Sequence, residues 1–340
     1  MNEQLAAAEP ASLDRARIEH LTDLLRRARS EIAAAVVGQG AVVDQLLLAL
    51  IAGGHVLLEG APGVGKTLIV RTLGQVTGLD FARVQFTPDL MPADITGGMT
   101  LVPDADGRTR LGFQKGPIFT QILLADEINR ATPKTQSALL EAMQEGTVTA
   151  GGHTTPLPEP FFVLATQNPI EMEGTYRLPE AQIDRFLLKA EVNYPQEEEL
   201  DAILDLTTGY EPRVPRQVLT QEDLLLAQRL VRMVPMASHL RRAVARFSVA
   251  TQPQIPTSPE PVRRYLRFGL SPRGAQAMVL SAKAHALVAG RYNVAFDDLE
   301  AVLAPVLRHR FQLNYEGEAA GVEPLGLLAQ MFAEVKRGVT

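Results

Sequence analysis

An eight-residue phosphate-binding pattern restricts the fold of this sequence more than any other feature. Residues 60–67 read GAPGVGKT, which matches G-x-x-x-x-G-K-[S/T]. The apolar run HVLLE at 55–59 precedes it, and the helical run TLIVRTLGQV follows it. Backbone N–H groups of such a loop bind phosphate oxygens, its lysine meets the β- and γ-phosphates, and its hydroxyl holds Mg²⁺. A strand, this loop and a helix therefore predict an α/β domain that binds a nucleotide.

Five short apolar runs rich in β-forming residues lie in the first 195 residues. They occur at 55–59, 81–86, 122–126, 161–166 and 186–192. Continuous apolar runs of this length, separated by helical stretches, are typical of parallel strands that are buried on both faces. We therefore predict an α/β core over 31–195 with a five-stranded parallel sheet.

The periodicity of the sequence becomes helical after the last of these runs. Thr220 can cap one helix, and Ser271, followed by a proline, can open another. A proline-dense run, TQPQIPTSPEP at 251–261, predicts a loop between helices. These signals predict a small all-α domain over 196–340, and a separate helical segment over 1–30 precedes the core.

Two β-hairpins are predicted as insertions in the core, at about 97–113 and 145–160. Each consists of two short β-rich runs around a turn signal. The turn signal is Asp106-Gly107 in the first hairpin and Gly151-Gly152 in the second. Neither hairpin is needed to complete the five-stranded sheet.

A pair of carboxylates ends the apolar run ILLAD, as Asp126 and Glu127. Open α/β sheets bind their ligands at the carboxyl ends of the strands, so this pair is expected to face the phosphate loop. Asp126 is then the carboxylate on the Mg²⁺ side. Glu127 is placed to orient and deprotonate a water that attacks the γ-phosphate.

Composition excludes several other classes of function. The chain has 33 Lys and Arg against 39 Asp and Glu, a net charge of −6, so no global positive field attracts nucleic acid or anionic lipid. The absence of cysteine excludes disulfides, thiolate nucleophiles and Cys-ligated metals. Residues 1–20 lack the basic and apolar regions of a signal peptide, and the apolar stretch 46–54 is far shorter than a membrane span. We therefore expect a cytoplasmic protein.

Motifs along nearly the whole chain resemble the AAA+ ATPases, and within them the MoxR family. This resemblance depends on the order and spacing of the motifs rather than on any single one. They are VVGQ (36–39), GAPGVGKT (60–67), PADITG (92–97), GPIF (116–119), LLADEINRA (123–131), QSALLEAMQEG (136–146), ATQNP (165–169), LPEAQIDRF (178–186) and SPR (271–273). The family belongs to a clade with one hairpin inserted in the second helix and another before the residue called sensor 1.

The resemblance implies roles for individual residues. Gln39 resembles the segment that lies along adenine and ribose, and Asn168 resembles sensor 1, which hydrogen-bonds the γ-phosphate and the attacking water. Arg185 is similar to the arginine finger that one subunit offers to its neighbour's nucleotide. Arg273 resembles sensor 2, which reaches from the helical lid to the γ-phosphate. The predicted ATP-binding residues are Gln39, Gly60, Ala61, Pro62, Gly63, Val64, Gly65, Lys66 and Thr67, and the predicted Mg²⁺ ligands are Thr67 and Asp126.

Two of these assignments have alternatives or departures. Arg185 could instead pair within its own subunit with Asp184 or Glu180, or Arg177 could be the finger. The sensor 2 motif reads GLSPRG where the family favours GASPRA, so Leu270 and Gly274 change the local packing and leave the arginine in place.

The resemblance also implies partners: a homo-oligomeric ring, expected to be a hexamer, a von Willebrand factor A domain protein, and a client protein or metalloenzyme complex that is remodelled. The main rival is a nucleic-acid motor or loader. Its hairpins need several cations on one surface, whereas segment 145–160 has no Lys or Arg and segment 94–115 balances three cations with three carboxylates. We therefore interpret the hairpins as protein-contacting. A second rival is an ATP-gated adaptor with little turnover, which the intact Asp126 and Glu127 disfavour.

Overall fold

A computed structural model describes residues 15–103, 109–150, 152–168, 175–208 and 214–338. The predicted turn at Asp106-Gly107, Gly151 of the second turn and the first fourteen residues lie outside these ranges. Within them, no helix is long and apolar enough to cross a membrane.

The helices and strands are numbered in chain order. They are α1 Arg15–Ala35, α2 Gly40–Ala52, β1 Val56–Glu59, α3 Lys66–Thr77, β2 Phe81–Gln85, α4 Pro92–Thr96, β3 Gly97–Pro103, β4 Thr109–Lys115, β5 Ile122–Asp126, a 3₁₀ turn Ile128–Arg130, α5 Pro133–Glu145, β6 Thr147–Ala150, β7 His153–Pro156, β8 Phe162–Gln167, α6 Glu180–Ile183, β9 Leu188–Glu191, α7 Glu197–Thr208, α8 Gln221–Met233, α9 Ser238–Ala250, α10 Glu260–Tyr265, β10 Leu266–Phe268, α11 Pro272–Val288, α12 Phe296–Leu307, β11 Gln312–Leu313, α13 Tyr315–Ala319 and α14 Pro324–Arg337.

The central sheet has five parallel strands in the order β2-β5-β8-β1-β9. Leu57 of β1 lies between Ala165 of β8 and Lys189 of β9. The prediction of a five-stranded parallel sheet is confirmed, with strand ends that differ from the apolar runs by one or two residues. All five strands run in one direction, so the sheet has a carboxyl edge, where they end, and an amino edge, where they begin.

Helices cover both faces of the sheet. On one face, α4 and α5 enclose a core that includes Leu57, Phe86 and Leu140. On the other face, a larger core contains α1, α2, α3 and the lid helices together, so that Ile18, Leu58 and Leu287 belong to one buried cluster. The helix α1 packs on α2, α3 and α11 of its own chain, because a stripe of apolar residues along it is buried.

The lid is helical, and two of its helices, α8 and α11, begin at the residues that the capping signals predict. The Thr220 hydroxyl accepts a hydrogen bond from the Asp223 amide at 3.2 Å, and Ser271 accepts one from the Gly274 amide at 3.0 Å. Two short antiparallel strands, β10 and β11, add a small sheet that helical periodicity does not predict. Residues 251–259 form turns before α10.

Both predicted hairpins are present as antiparallel pairs. β3 pairs with β4 over the full length of both strands, and β6 pairs with β7 directly after α5. On the first hairpin, Met99 and Leu101 are exposed, with 40% and 69% of their surface accessible. Because β6 follows α5 directly, α5 connects the segment after Glu127 with the second hairpin.

Candidate nucleotide site

The phosphate loop joins β1 to α3 at the carboxyl edge of the sheet. Its glycines have two separate reasons to lack a side chain. Gly63 and Gly65 have φ of 82° and 87°, where L-residues are strained, although a Cβ would meet no atom within 4 Å. At Gly60, in contrast, a Cβ would lie 2.5 Å from the Val192 carbonyl oxygen. The loop therefore exposes its backbone amides at the first turn of α3, where anions bind.

Lys66 begins α3 and bends back over the loop. Its Nζ donates to the carbonyl oxygen of Gly60 at 2.5 Å and to that of Ala61 at 3.3 Å. The side chain is half-buried, so the ammonium group lies within the loop rather than in solvent. Thr67, the next residue, is also half-buried at the first turn of the same helix.

Asp126 ends β5 with a side chain that is 11% exposed. Its Oδ1 accepts a hydrogen bond from the Thr166 hydroxyl at 2.6 Å. Its Oδ2 accepts two bonds from the Arg83 guanidinium, at 3.0 Å from Nε and 2.6 Å from Nη2. The carboxylate that sequence analysis assigns to Mg²⁺ is thus held on one side by a hydroxyl and on the other by a cation.

Glu127 has a backbone conformation that only glycine adopts without strain. Its φ of 56° is the one positive value among the described non-glycine residues, and such conformations are concentrated at functional sites. The Glu127 amide donates a hydrogen bond to the Thr166 hydroxyl at 2.8 Å. Its Oε2 accepts bonds from Gln85 at 2.6 Å and from Arg130 at 2.9 Å. The turn therefore directs this carboxylate toward the end of β2.

Asn168 and Gln39 lie at the same edge. Asn168 follows β8 and is 5% exposed. Gln39 precedes α2, is 7% exposed, and donates from Nε2 to the carbonyl oxygen of Asn193 at 3.0 Å. Because Val192 contacts the phosphate loop, this bond fastens the start of α2 beside the loop. The carboxyl edge thus brings together Gln39, the phosphate loop, Asp126, Glu127 and Asn168.

Arg185 and Arg273 lie at the opposite, amino edge. Both line a cleft of about 290 Å³ together with Gly54, which precedes β1, and Leu187, which precedes β9. Arg185 donates to the Leu140 carbonyl at 2.7 Å, and Arg273 donates to Gln144 Oε1 at 3.0 Å. A four-residue strand is about 13 Å long, so the sheet separates both guanidinium groups from the phosphate loop of their own chain.

Within one chain, Arg273 lies away from the phosphate loop, so its contact with a γ-phosphate stays a prediction for the nucleotide of a neighbouring subunit. The physical reason is the packing of the lid. The lid lies beside the sheet and places the first turn of α11 near the end of α5, rather than over the phosphate loop.

Asp184 and Glu180, the acids that could pair with Arg185 in its own chain, both have other partners. Asp184 pairs with Arg310 at 2.9 Å, and Glu180 accepts from Gln312 at 3.0 Å. Among the described contacts, Arg185 forms no ion pair with either acid, and its Nε is buried without a partner. Arg177 is exposed and lines a cleft at the carboxyl edge together with Asn168.

Sequence reasoning missed four residues that hold the carboxylate pair. Three of them are polar residues of the strands on either side of β5, and the fourth belongs to the turn after β5. They are Arg83, Gln85, Thr166 and Arg130. The signal for the first two was the polar pair within FARVQF, but its meaning depends on β2 lying next to β5, which the sequence alone does not show.

Comparison with known protein families identifies the class. Residues 55–188 match the family model of the ATPase family associated with various cellular activities (AAA). Residues 261–327 match that of the AAA lid domain. The fold and the site thus define an AAA ATPase.

Similar proteins identify the family. The chain is 45% identical to the chaperone MoxR1 of Mycobacterium tuberculosis, over 88% of this chain and 78% of that protein. It is 42% identical to the uncharacterised protein YeaC of Bacillus subtilis, over 94% and 96%. It is 32% identical to the protein MoxR of Paracoccus denitrificans, over 91% and 95%.

A crystal structure of a protein assigned as an ATPase, from Cytophaga hutchinsonii, has a TM-score of 0.87 and 37% identity over 94% of this chain and 96% of that one. The chain belongs to the MoxR family of AAA ATPases. The resemblance found in its motifs is confirmed.

Proposed function

We propose that this ATPase hydrolyses ATP to ADP and phosphate at sites shared between neighbouring subunits of a ring, and that it uses hydrolysis to remodel a protein client. The observation that carries the proposal is the separation of the two halves of the site. The phosphate loop and the carboxylates lie at the carboxyl edge of the sheet, and Arg185 and Arg273 lie at the amino edge. A second subunit is needed to bring the two halves together.

At the carboxyl edge, each residue has a defined task. Backbone amides of the phosphate loop and the Lys66 ammonium bind the phosphate chain. Glu127 accepts a proton from the attacking water, which Asn168 helps to orient. The Gln85 and Arg130 bonds to Glu127 fix where its carboxylate points, and Gln39 holds the segment beside adenine and ribose.

The residues present fit a bound Mg²⁺. This ion prefers oxygen ligands and keeps several waters. The Thr67 hydroxyl and the Asp126 carboxylate supply oxygens at the carboxyl edge, next to a cradle at Gly63 and Gly65 that any side chain would strain. These two residues would hold the ion, which when bound offsets the charge of the β- and γ-phosphates.

At the amino edge, Arg185 and Arg273 would act on the neighbour's nucleotide. A guanidinium stays charged and binds phosphate oxygens through two parallel bonds. Both side chains reach the same cleft, so one neighbouring subunit would supply both charges to the γ-phosphate. Head-to-tail contacts of this kind close into a ring, and we propose a hexamer.

Remodelling of a protein client is supported by the name and similarity of a chaperone relative and by the surface of the hairpins. Exposed apolar side chains such as Met99 and Leu101 suit a protein contact better than a phosphate backbone. We propose that the client is a protein or metalloenzyme complex and that a von Willebrand factor A domain protein acts with the ring.

The decisive experiment substitutes Glu127. The Glu127→Gln protein should bind ATP and form rings by native mass spectrometry, yet its turnover should fall at least about 100-fold, because general-base catalysis contributes that much or more. Glu334→Gln, on the exposed face of α14, is the matched control and should hydrolyse ATP at the wild-type rate. Wild-type turnover by Glu127→Gln would refute the assignment.

A further inference from the structure

One buried lid residue connects the two arginines of the amino edge. Arg310 follows α12, and its side chain is only 3% exposed. Its guanidinium donates three hydrogen bonds to one loop, to the Asp184 carboxylate at 2.9 Å, to the Phe186 carbonyl at 2.6 Å and to the Leu187 carbonyl at 3.0 Å. It also donates to the Val306 carbonyl in α12, which fixes it to the lid. This loop, 184–187, contains Arg185.

The same loop is joined to the helix that carries Arg273. The Ser271 hydroxyl donates to Asp184 Oδ2 at 2.8 Å and accepts from the Gly274 amide at 3.0 Å. Ser271 therefore caps α11 and binds the loop at once. Asp184 uses one carboxylate oxygen for Arg310 and the other for Ser271, so the loop and the first turn of α11 are cross-linked through one side chain.

Because Arg310 is buried, its hydrogen bonds to the loop are costly to break. A surface arginine costs little to move, whereas a buried guanidinium must keep its acceptors or lose several charge-assisted bonds. Burial also lowers the pKa of Arg310 to about 10, while Asp184 opposes that shift. At neutral pH the group remains charged.

We propose that Arg310 is a positioning residue that holds Arg185 and Arg273 as one unit, so that both guanidinium groups meet the neighbouring subunit's γ-phosphate in a fixed relation. Arg310 does not touch the nucleotide itself. The proposal rests on the proposed function, because it assigns to Arg310 an effect on the neighbour's site and none on its own phosphate loop.

The first test separates catalysis from binding. Arg310→Ala should lower kcat about 100-fold, the size expected when a catalytic group is misplaced by about 1 Å. The KM for ATP should stay within about threefold, because the phosphate loop is untouched. Arg310→Lys keeps one charge but cannot reach three acceptors, so its kcat should lie between those of Arg310→Ala and wild type.

A matched control is available two residues away. Arg308 is also a lid arginine that contacts the core, but it pairs with Glu191 at 2.6 Å and not with the 184–187 loop. Arg308→Ala should keep kcat within about twofold of wild type, since an ion pair with a half-exposed carboxylate is weak. An equal loss in both variants would mean that any lid–core contact matters, and would overturn the proposal.

Rings that mix two inactive or weakly active variants test whether Arg310 acts on the neighbouring site. Their ATPase activity should recover if it does, and should not recover if Arg310 only stabilises its own subunit. Lys66→Ala subunits lack a working phosphate loop but have an intact amino edge, and Arg310→Ala subunits have the reverse. Alone, Lys66→Ala should not hydrolyse ATP, and Arg310→Ala should do so about 100-fold more slowly than wild type. In an equal mixture, about a quarter of the interfaces pair the two intact halves, so ATPase activity should reappear at that level. No recovery would overturn the proposal.

The same mixture with Arg185→Ala in place of Arg310→Ala tests the shared site itself. Recovery of activity with Arg185→Ala but not with Arg310→Ala would support the proposed function and refute the proposed role of Arg310. If neither complements, the shared site falls. If Arg310→Ala does not fold, Asp184→Asn removes the same ion pair without emptying the buried space, and should behave as predicted for Arg310→Ala.

Discussion

Acid should destabilise this protein through His55, at the amino edge of the sheet. Its ring accepts a hydrogen bond from the Val163 amide at 3.1 Å, donates to the Met143 carbonyl at 3.1 Å, and packs edge-on against Phe161. Burial lowers the pKa of His55 from its ordinary 6.5 to about 4. The folded ring is therefore neutral under conditions where the unfolded ring is charged.

The sign and size follow from proton linkage. Between about pH 6.5 and pH 4 the unfolded chain binds the proton and the folded chain does not, so the free energy of unfolding falls as the pH falls. For a pKa of 4 in the fold and 6.5 outside it, the loss between about pH 7 and about pH 5 is roughly 2 kcal/mol. It is complete, at about 3 kcal/mol, below pH 4. The physical cause is burial, because protonation would place a charge in an apolar environment; a protonated ring also can no longer accept the Val163 amide.

Urea unfolding followed by circular dichroism at the two pH values measures this loss. His55→Gln should be less stable than wild type at neutral pH, but the difference between the two proteins should shrink by roughly 2 kcal/mol at pH 5. His239→Gln, at an exposed position, should keep the wild-type pH dependence. An unchanged pH dependence in His55→Gln would refute the reasoning.

Three further predictions concern the site and the rival function. Arg83→Ala should lower the Mg²⁺ concentration needed for half-maximal ATPase activity about fivefold, because it removes an ion pair of roughly 1 kcal/mol that competes for Asp126. Arg130→Ala leaves the contacts of Asp126 unchanged and should keep the wild-type Mg²⁺ requirement. A higher Mg²⁺ requirement in Arg83→Ala would contradict this. Gly65→Ala should fold with a wild-type circular dichroism spectrum, but its affinity for ATP by calorimetry should fall about 5- to 30-fold, because the backbone strain of an alanine there costs about 1–2 kcal/mol. Unimpaired binding would show that the loop tolerates a side chain. Fluorescence anisotropy with DNA at low salt should show no binding tighter than about 1 µM, and tight binding with a steep salt dependence would favour a nucleic-acid motor.

Local signals account for the parts of the fold that the sequence predicts. The phosphate loop is a contiguous pattern between a strand and a helix, and buried parallel strands are continuous apolar runs, so both are visible within a few residues. The helix caps at Thr220 and Ser271 are equally local. The same holds for Asp126 and Glu127, because strand ends and sheet edges coincide in a parallel sheet.

The rest depends on contacts between distant segments. Arg273 stands in a recognisable motif, but its location is decided by Ser271 and Arg310 meeting Asp184, about 90 and 125 residues away in sequence. Arg83 reads as an ordinary polar residue of an edge strand until β2 is known to lie beside β5. Docking of α1 on its own chain likewise needed the structure.

The larger hydrophobic core, which contains Ile18, Leu58 and Leu287, restricts how this ATPase can move. A hinge between sheet and lid would have to open packed apolar surface, and exposing roughly 400 Å² costs about 10 kcal/mol, as much as the whole stability of many domains. Each subunit therefore behaves as one solid part. In the proposed ring, the joints that respond to ATP would lie where one copy meets the next, and work on a client would come from subunits that tilt against each other.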